Sequence, residues 1–203
     1  MKKKTIIRLT AIVAIASIIA SFTLAYLTDV TSAKTNTFTA SNGIDIKLAE
    51  PLWDNLNYDG EGAGVTAPLG QTLANNIVPG REIPKNPSVK NASDLENVWV
   101  AIKLTYTGDA NSFALIDAFA DFNFDLTGWE AKDATNTIFY FKTQLAPTAV
   151  TTDLFTRVLI DSSAANSAIK SFNIGIKAYG VQAEGLDYTA AKAQLDALII
   201  AQP

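Results

Sequence analysis

The chain contains no cysteine and no histidine, and a single methionine, in 203 residues. Without cysteine there is no disulfide and no thiolate nucleophile, so stability must come from the core or from neighbouring molecules. Without histidine the usual general base near neutral pH and the commonest transition-metal ligand are missing. Ser-His-Asp and Cys-His catalysis and the zinc helix with two histidines are thereby excluded. Hydrolysis by paired carboxylates is the only mechanistic class left open. Basic residues are also scarce, 16 against 20 acidic ones. Nucleic acid is a poor partner for such a chain, because phosphate binding needs clustered Lys and Arg.

What is present begins with a segregated N-terminus. Lys2, Lys3, Lys4 and Arg8 form a basic head, and an uncharged apolar run follows from Leu9 to Ala20. Small residues at Thr23 and Ala25 then mark a cleavage site between Ala25 and Tyr26, the layout of a secretory signal peptide. A retained anchor over residues 9–27 is the alternative. That stretch is near the lower limit for a span and is interrupted by Thr10, Ser17, Ser21 and Thr23. Cleavage removes four of the 16 basic groups and no acidic one, leaving 12 against 20 and a net charge of −8. The expected organisation is a signal peptide over 1–25, an N-terminal strand-prone segment over 26–42, and one domain over 43–203. The expected localisation is secreted, in the extracellular matrix or at the cell surface, with membrane contact only before cleavage.

The rest alternates with period two. Ile44, Ile46 and Leu48 share one face of a strand. From Val98 to Tyr106, Val98, Val100, Ile102 and Leu104 face one way, and Trp99, Ala101, Lys103 and Thr105 the other. Further strands are expected over 137–141, 154–160 and 171–179, the last with Phe172, Ile174 and Ile176 on one face. Residues 51–87 are rich in Gly and Pro and read as a long excursion. It ends in a turn at Pro79-Gly80 and an edge strand before Pro84. Helices are expected over 112–120, capped by Ser112 with Phe113, Ile116 and Ala120 on one face, and over 188–200, with Ala191, Leu195 and Leu198 on one face. The fold class is mainly β: a two-sheet antiparallel, jelly-roll-like sandwich with one or two short helices behind an N-terminal signal helix.

Three motifs resemble a known family. Ala25-Tyr26-Leu27-Thr28-Asp29 comes directly after the signal peptide and leads to Asn36-Thr37-Phe38-Thr39-Ala40 and Gly43-Ile44-Asp45-Ile46. The second is Val78-Pro79-Gly80-Arg81-Glu82-Ile83-Pro84-Lys85, followed by Val89-Lys90-Asn91. The third is Ala178-Tyr179-Gly180-Val181-Gln182-Ala183-Glu184-Gly185. Together they resemble the TasA/camelysin (CalY) family of Gram-positive secreted biofilm-matrix and surface-filament proteins, although Leu27 stands where the family pattern has an aromatic. The resemblance implies removal of the signal by a dedicated SipW-type signal peptidase and a jelly-roll domain. It also implies filaments in which the N-terminal segment of one subunit completes the sheet of the next. The partners would be copies of the same chain and other matrix proteins. The metalloprotease activity attributed to camelysin is not carried over, since this chain has no zinc-binding helix.

Donor-strand addition gives affinity through backbone hydrogen bonds and specificity through alternate side chains in pockets. Tyr26, Leu27, Val30 and Phe38 are the candidate polymerisation residues, with Leu27, Val30 and Phe38 the pocket fillers. No cofactor, metal or catalytic residue is assigned. Asn55-Leu56-Asn57-Tyr58-Asp59-Gly60 resembles half a calcium loop, but its first position is Asn and its twelfth would be Thr66, so a Gly/Asn turn is the better reading. Asp117, Asp121 and Asp125 are read as a solvated face. Trp53, Trp99 and Trp129 would form a sugar-stacking platform if they converged, and core filling is the competing reading. The alternative to a filament protein is a monomeric surface module that binds carbohydrate or protein.

Overall fold

The computed structural model describes residues 28–30 and 43–202. The signal segment, the cleavage site at Ala25 and Tyr26, and Leu27 and Phe38 lie outside these. Among the described residues no helix is long and apolar enough to cross a membrane.

The chain is mainly β. Its strands are β1 (Thr28–Val30), β2 (Ile46–Ala49), β3 (Glu82–Pro84), β4 (Ser88–Asn91), β5 (Val98–Gly108), β6 (Ala120–Phe122), β7 (Trp129–Ala131), β8 (Ile138–Phe141), β9 (Arg157–Ile160) and β10 (Phe172–Gln182). The helices are α1 (Pro51–Asp54), α2 (Gly70–Leu73), α3 (Phe113–Asp117) and α4 (Tyr188–Ala201). The strands form three antiparallel sheets: β1-β10-β5-β8-β7, β2-β4 and β3-β9-β6. The sequence reading expects a single second sheet. Instead, that layer is interrupted between β3 and β4, where Pro84, the last residue of β3, and Pro87, in the connection, each lack an N–H donor. Backbone bonds from Lys85 to Thr156, from Leu154 to Pro87 and from Thr151 to Val89 still carry the pairing across the gap.

The period-two pattern of β5 sets the layers. Val98, Val100, Ile102 and Leu104 enter a core shared with Ile44 and Ile46, with Val89, Ile83, Val158 and Ile160, and with Phe122, Trp129 and Phe139. Trp99 and Ala101 point to the opposite face, where Tyr140, Tyr179 and Val181 meet Ala191, Leu195, Leu198 and Ile199 of α4. The five-stranded sheet is therefore apolar on both faces, one covered by the small sheets and one by α4.

Helix α4 starts at Asp187, whose carboxylate accepts from the Ala190 N–H, a cap satisfying one of the orphan donors of the first turn. Helix α3 is capped by Ser112 as expected, with Ile116 buried and Phe113 packed on the core. It ends at Asp117, and Ala120 belongs to β6 instead. The excursion over 51–87 contains α1, α2 and β3. Gly80 has φ +77°, and β3 is an edge of its sheet, as the Pro-Gly turn and Pro84 predict.

Candidate assembly edge

Strand β10 is an eleven-residue strand for a simple reason. Phe172, Ile174, Ile176, Ala178 and Gly180 alternate toward the core, and Tyr179 and Val181 face α4. One side of it pairs with β5 along its whole length, from Phe172 opposite Gly108 to Gln182 opposite Val98. The other side receives β1, with Thr28 opposite Val181, Asp29 opposite Gly180 and Val30 opposite Tyr179. Among the described residues no strand pairs the outer side of Phe172–Ile176.

Small residues make room at the β1 end. A Cβ on Gly180 would stand 3.2 Å from Ile46 Cδ1 and 3.3 Å from Ile44 Cδ1. Glycine there lets β2 settle against the strand that β1 flanks.

At the other end of β10 a cleft of about 250 Å³ opens toward β3. Ile83, Val158, Phe172 and Ile174 line it, together with Trp53 and Lys85. Trp53 is held from two sides. Helix α2 comes so close that a Cβ on Gly70 would stand 2.8 Å from the ring and 1.9 Å from the Pro84 carbonyl oxygen. The Lys85 ammonium lies 4.3 Å from the ring centroid. Lys85 is only 3% exposed, and its charge is met by Glu50 at 2.7 Å. Burial pushes the Glu50 carboxyl upward, and Lys85 pulls it back down. The pair as a whole is neutral, which is how a buried charge becomes tolerable.

The structure brings one of the sequence-predicted site residues to the edge: Val30, placed by register opposite Tyr179. Tyr26, Leu27 and Phe38 lie outside the described residues. The Asn55–Gly60 segment is a turn. The Asn55 side-chain oxygen accepts from the Val65 N–H, and that of Asn57 accepts from the N–H groups of Asp59 and Glu61. Asp59 pairs with Lys47.

The three spaced aspartates occupy different elements. Asp117 ends α3 and Asp121 is exposed in β6. Asp125 caps a turn, accepting from the Thr152 hydroxyl foremost and from the Gly128 and Thr127 N–H groups, which hold its carboxyl below the usual range. The tryptophans do not converge. Trp129 is buried in the main core, Trp99 lies under α4, and Trp53 borders the cleft beside β3.

Sequence reasoning missed the Glu50–Lys85 pair, because nothing in the spacing of two residues so far apart marks them as partners. Pro84 before Lys85 was the nearest signal, since it fixes the chain at the edge where Lys85 turns inward. In comparisons with known proteins, no family model, curated protein or solved structure matches this chain.

Proposed function

We propose that this chain is an exported structural protein of extracellular-matrix or cell-surface filaments. In this reading, cleavage between Ala25 and Tyr26 frees residues 26–42. That segment adds as a strand to β10 of another copy, and residues 43–203 form a jelly-roll-like sandwich. What supports the reading is the placement of β1. A three-residue piece of the candidate donor segment already pairs with an eleven-residue strand whose outer side at Phe172–Ile176 has no strand partner among the described residues. An unpaired edge is a template for another strand. Strand donation needs no cofactor and no catalytic residue, and the TasA/camelysin resemblance of the N-terminal motif points the same way.

The test is negative-stain electron microscopy of the chain beginning at Tyr26 beside one beginning at Gly43. Filaments only in the longer chain are expected, and equal filaments from both would sink strand donation. The cleft beside Trp53 and Lys85 favours a second reading, a monomeric module that binds carbohydrate or protein. Monodisperse particles in both preparations would support that one.

A further inference from the structure

Among the ion pairs of the described residues, Lys85–Glu50 is the most deeply buried, with side chains 4% and 16% exposed and Nζ 2.7 Å from Oε1. The contact has the length of a hydrogen bond but not its angles, and Oε1 is buried without a hydrogen-bond donor. Nζ is thus packed against the carboxyl group rather than docked as a hydrogen-bond donor. A C=O bond is about 1.23 Å long, so the carboxyl carbon, Cδ, lies at most about 3.9 Å from Nζ. Reacting atoms in a near-attack arrangement are about 3–3.5 Å apart, so little further approach is needed.

The frame around the pair is pinned. The Glu50 carbonyl accepts from the Trp53 N–H at 2.8 Å, and the Lys85 N–H donates to the Thr156 carbonyl at 3.1 Å. Asn86 Oδ1 accepts from the Leu52 N–H at 2.7 Å, tying the two segments together. The Trp53 ring covers the ammonium, and Gly70 backs that ring. In water an amine and a carboxylic acid do not condense, because both ionise: an ammonium has no lone pair and a carboxylate is a poor electrophile. Burial penalises both ions and pushes the Glu50 carboxyl toward its acid form. Proton transfer from the ammonium to the carboxylate then gives amine and acid inside the pair. Fixing two such groups together is worth an effective concentration of about 10⁵ M or more in well-oriented cases.

We infer that Lys85 and Glu50 are a modification site, at which the folded chain joins itself through an amide between Lys85 Nζ and Glu50 Cδ. The Nζ lone pair adds to Cδ, one Nζ proton passes to the carboxyl hydroxyl, and the Cδ–O bond breaks to release one water. The water leaves through the cleft that Lys85 and Trp53 line. No oxidant and no cofactor is consumed. The ion pair is the starting state, so a newly folded chain responds to substitution and pH as that pair does, and the amide accumulates from it. The bond would clamp both ends of the Gly- and Pro-rich excursion. In a chain without cysteine it supplies the long-loop closure that a disulfide gives elsewhere. It is independent of strand donation.

The test is intact-mass spectrometry of the full chain, held folded and warm and sampled over time, followed by a tryptic map. Loss of the mass of one water is expected in most molecules, and none in a sample held in urea. Trypsin cuts after lysine and arginine, so the unlinked chain yields separate peptides 48–81 and 82–85. The amide blocks the cut after Lys85 and gives one branched peptide joining 48–81 to 82–90. Lys85→Arg, which keeps a cation but no amine, and Lys85→Met should both retain the full mass. An unchanged mass in the parent overturns the inference without recourse to any variant. So does a water loss that persists in either variant. A loss confined to linear 48–81, as ring closure at Asp59-Gly60 would give, overturns it as well.

Discussion

Gly180 and Ile46 meet across the core, where a Cβ on residue 180 would stand 3.2 Å from both Cδ1 and Cγ2 of the isoleucine. A larger side chain there must push β2 away or displace β10 from the edge that β1 flanks. Gly180→Val is expected to cost about 1–3 kcal/mol, the usual range for overpacking a filled site. Urea unfolding monitored by tryptophan fluorescence would report it as a lowered midpoint with an unchanged slope. A midpoint at the parent value would show that β2 is free to move and that the fit is not tight.

The Glu50–Lys85 pair predicts an asymmetric response to mutation. Lys85→Met leaves a buried carboxylate without its partner and should cost about 3–5 kcal/mol. Adding Glu50→Gln to that variant removes the stranded charge and should recover most of the loss. Equal stability of the single and double variants would mean that Lys85 acts mainly through its packing on Trp53.

The same pair has a pH signature. Burial raises the Glu50 carboxyl in the folded chain, so between its ordinary range and the raised value the folded state holds a proton that the unfolded state has released. Stability contributed by this group is present below the ordinary carboxylate range and declines as pH rises through that window. Glu50→Gln should flatten this decline in a series of urea midpoints taken at increasing pH. An identical slope in parent and variant would assign the pH dependence to other groups.

Much of the fold was legible because period two is a direct consequence of pleating. The alternation from Val98 to Leu104 separated the two faces of β5 correctly, and Ser112 announced the start of α3. The covering of the outer sheet face was not legible in the same way. Trp99 and Ala101 look like the half-exposed side of an edge until α4 packs over them, and no local pattern ties residue 99 to residue 195. The interruption of the second layer also escaped the sequence reading, although Pro84 and Pro87 were its cause. At the candidate edge, the alternation of β10 was readable. Its pairing with Thr28–Val30 was not, because a three-residue strand carries too little pattern to declare a partner.

Helix α4 is held at its start by Glu130 of β7, which accepts from the Tyr188 hydroxyl and pairs with the Lys192 ammonium at 2.8 Å. These contacts, Lys192 foremost, hold the Glu130 carboxyl below the usual range. Its contribution is therefore present above the ordinary carboxylate range and is lost as pH falls through the lowered value. Because the pair is partly solvated, Glu130→Gln should cost no more than about 1 kcal/mol. The specific readout is hydrogen exchange. Amides in the first turns of α4 should exchange faster in the variant at neutral pH and no faster than the parent in acid. A uniform change over the whole chain would point to global destabilisation instead.

At its far end α4 is tied to the candidate edge itself. The Tyr179 hydroxyl donates to the Gln202 carbonyl at 2.9 Å, meeting one of the last orphan acceptors of the helix. Burial pushes this phenol up to about 12, so it remains a donor throughout the neutral range. Tyr179→Phe keeps the ring in the apolar layer under α4 and removes only the donor, which should cost about 0.5–1.5 kcal/mol. The backbone of the same residue stands opposite Val30, so the substitution separates two roles. If the hydroxyl serves only the helix, protection from exchange falls over Ile199–Gln202 while the β10–β5 ladder is unchanged. If the ladder amides around Tyr179 also open, the helix end is what holds β10 straight where β1 pairs, and loosening one loosens the other.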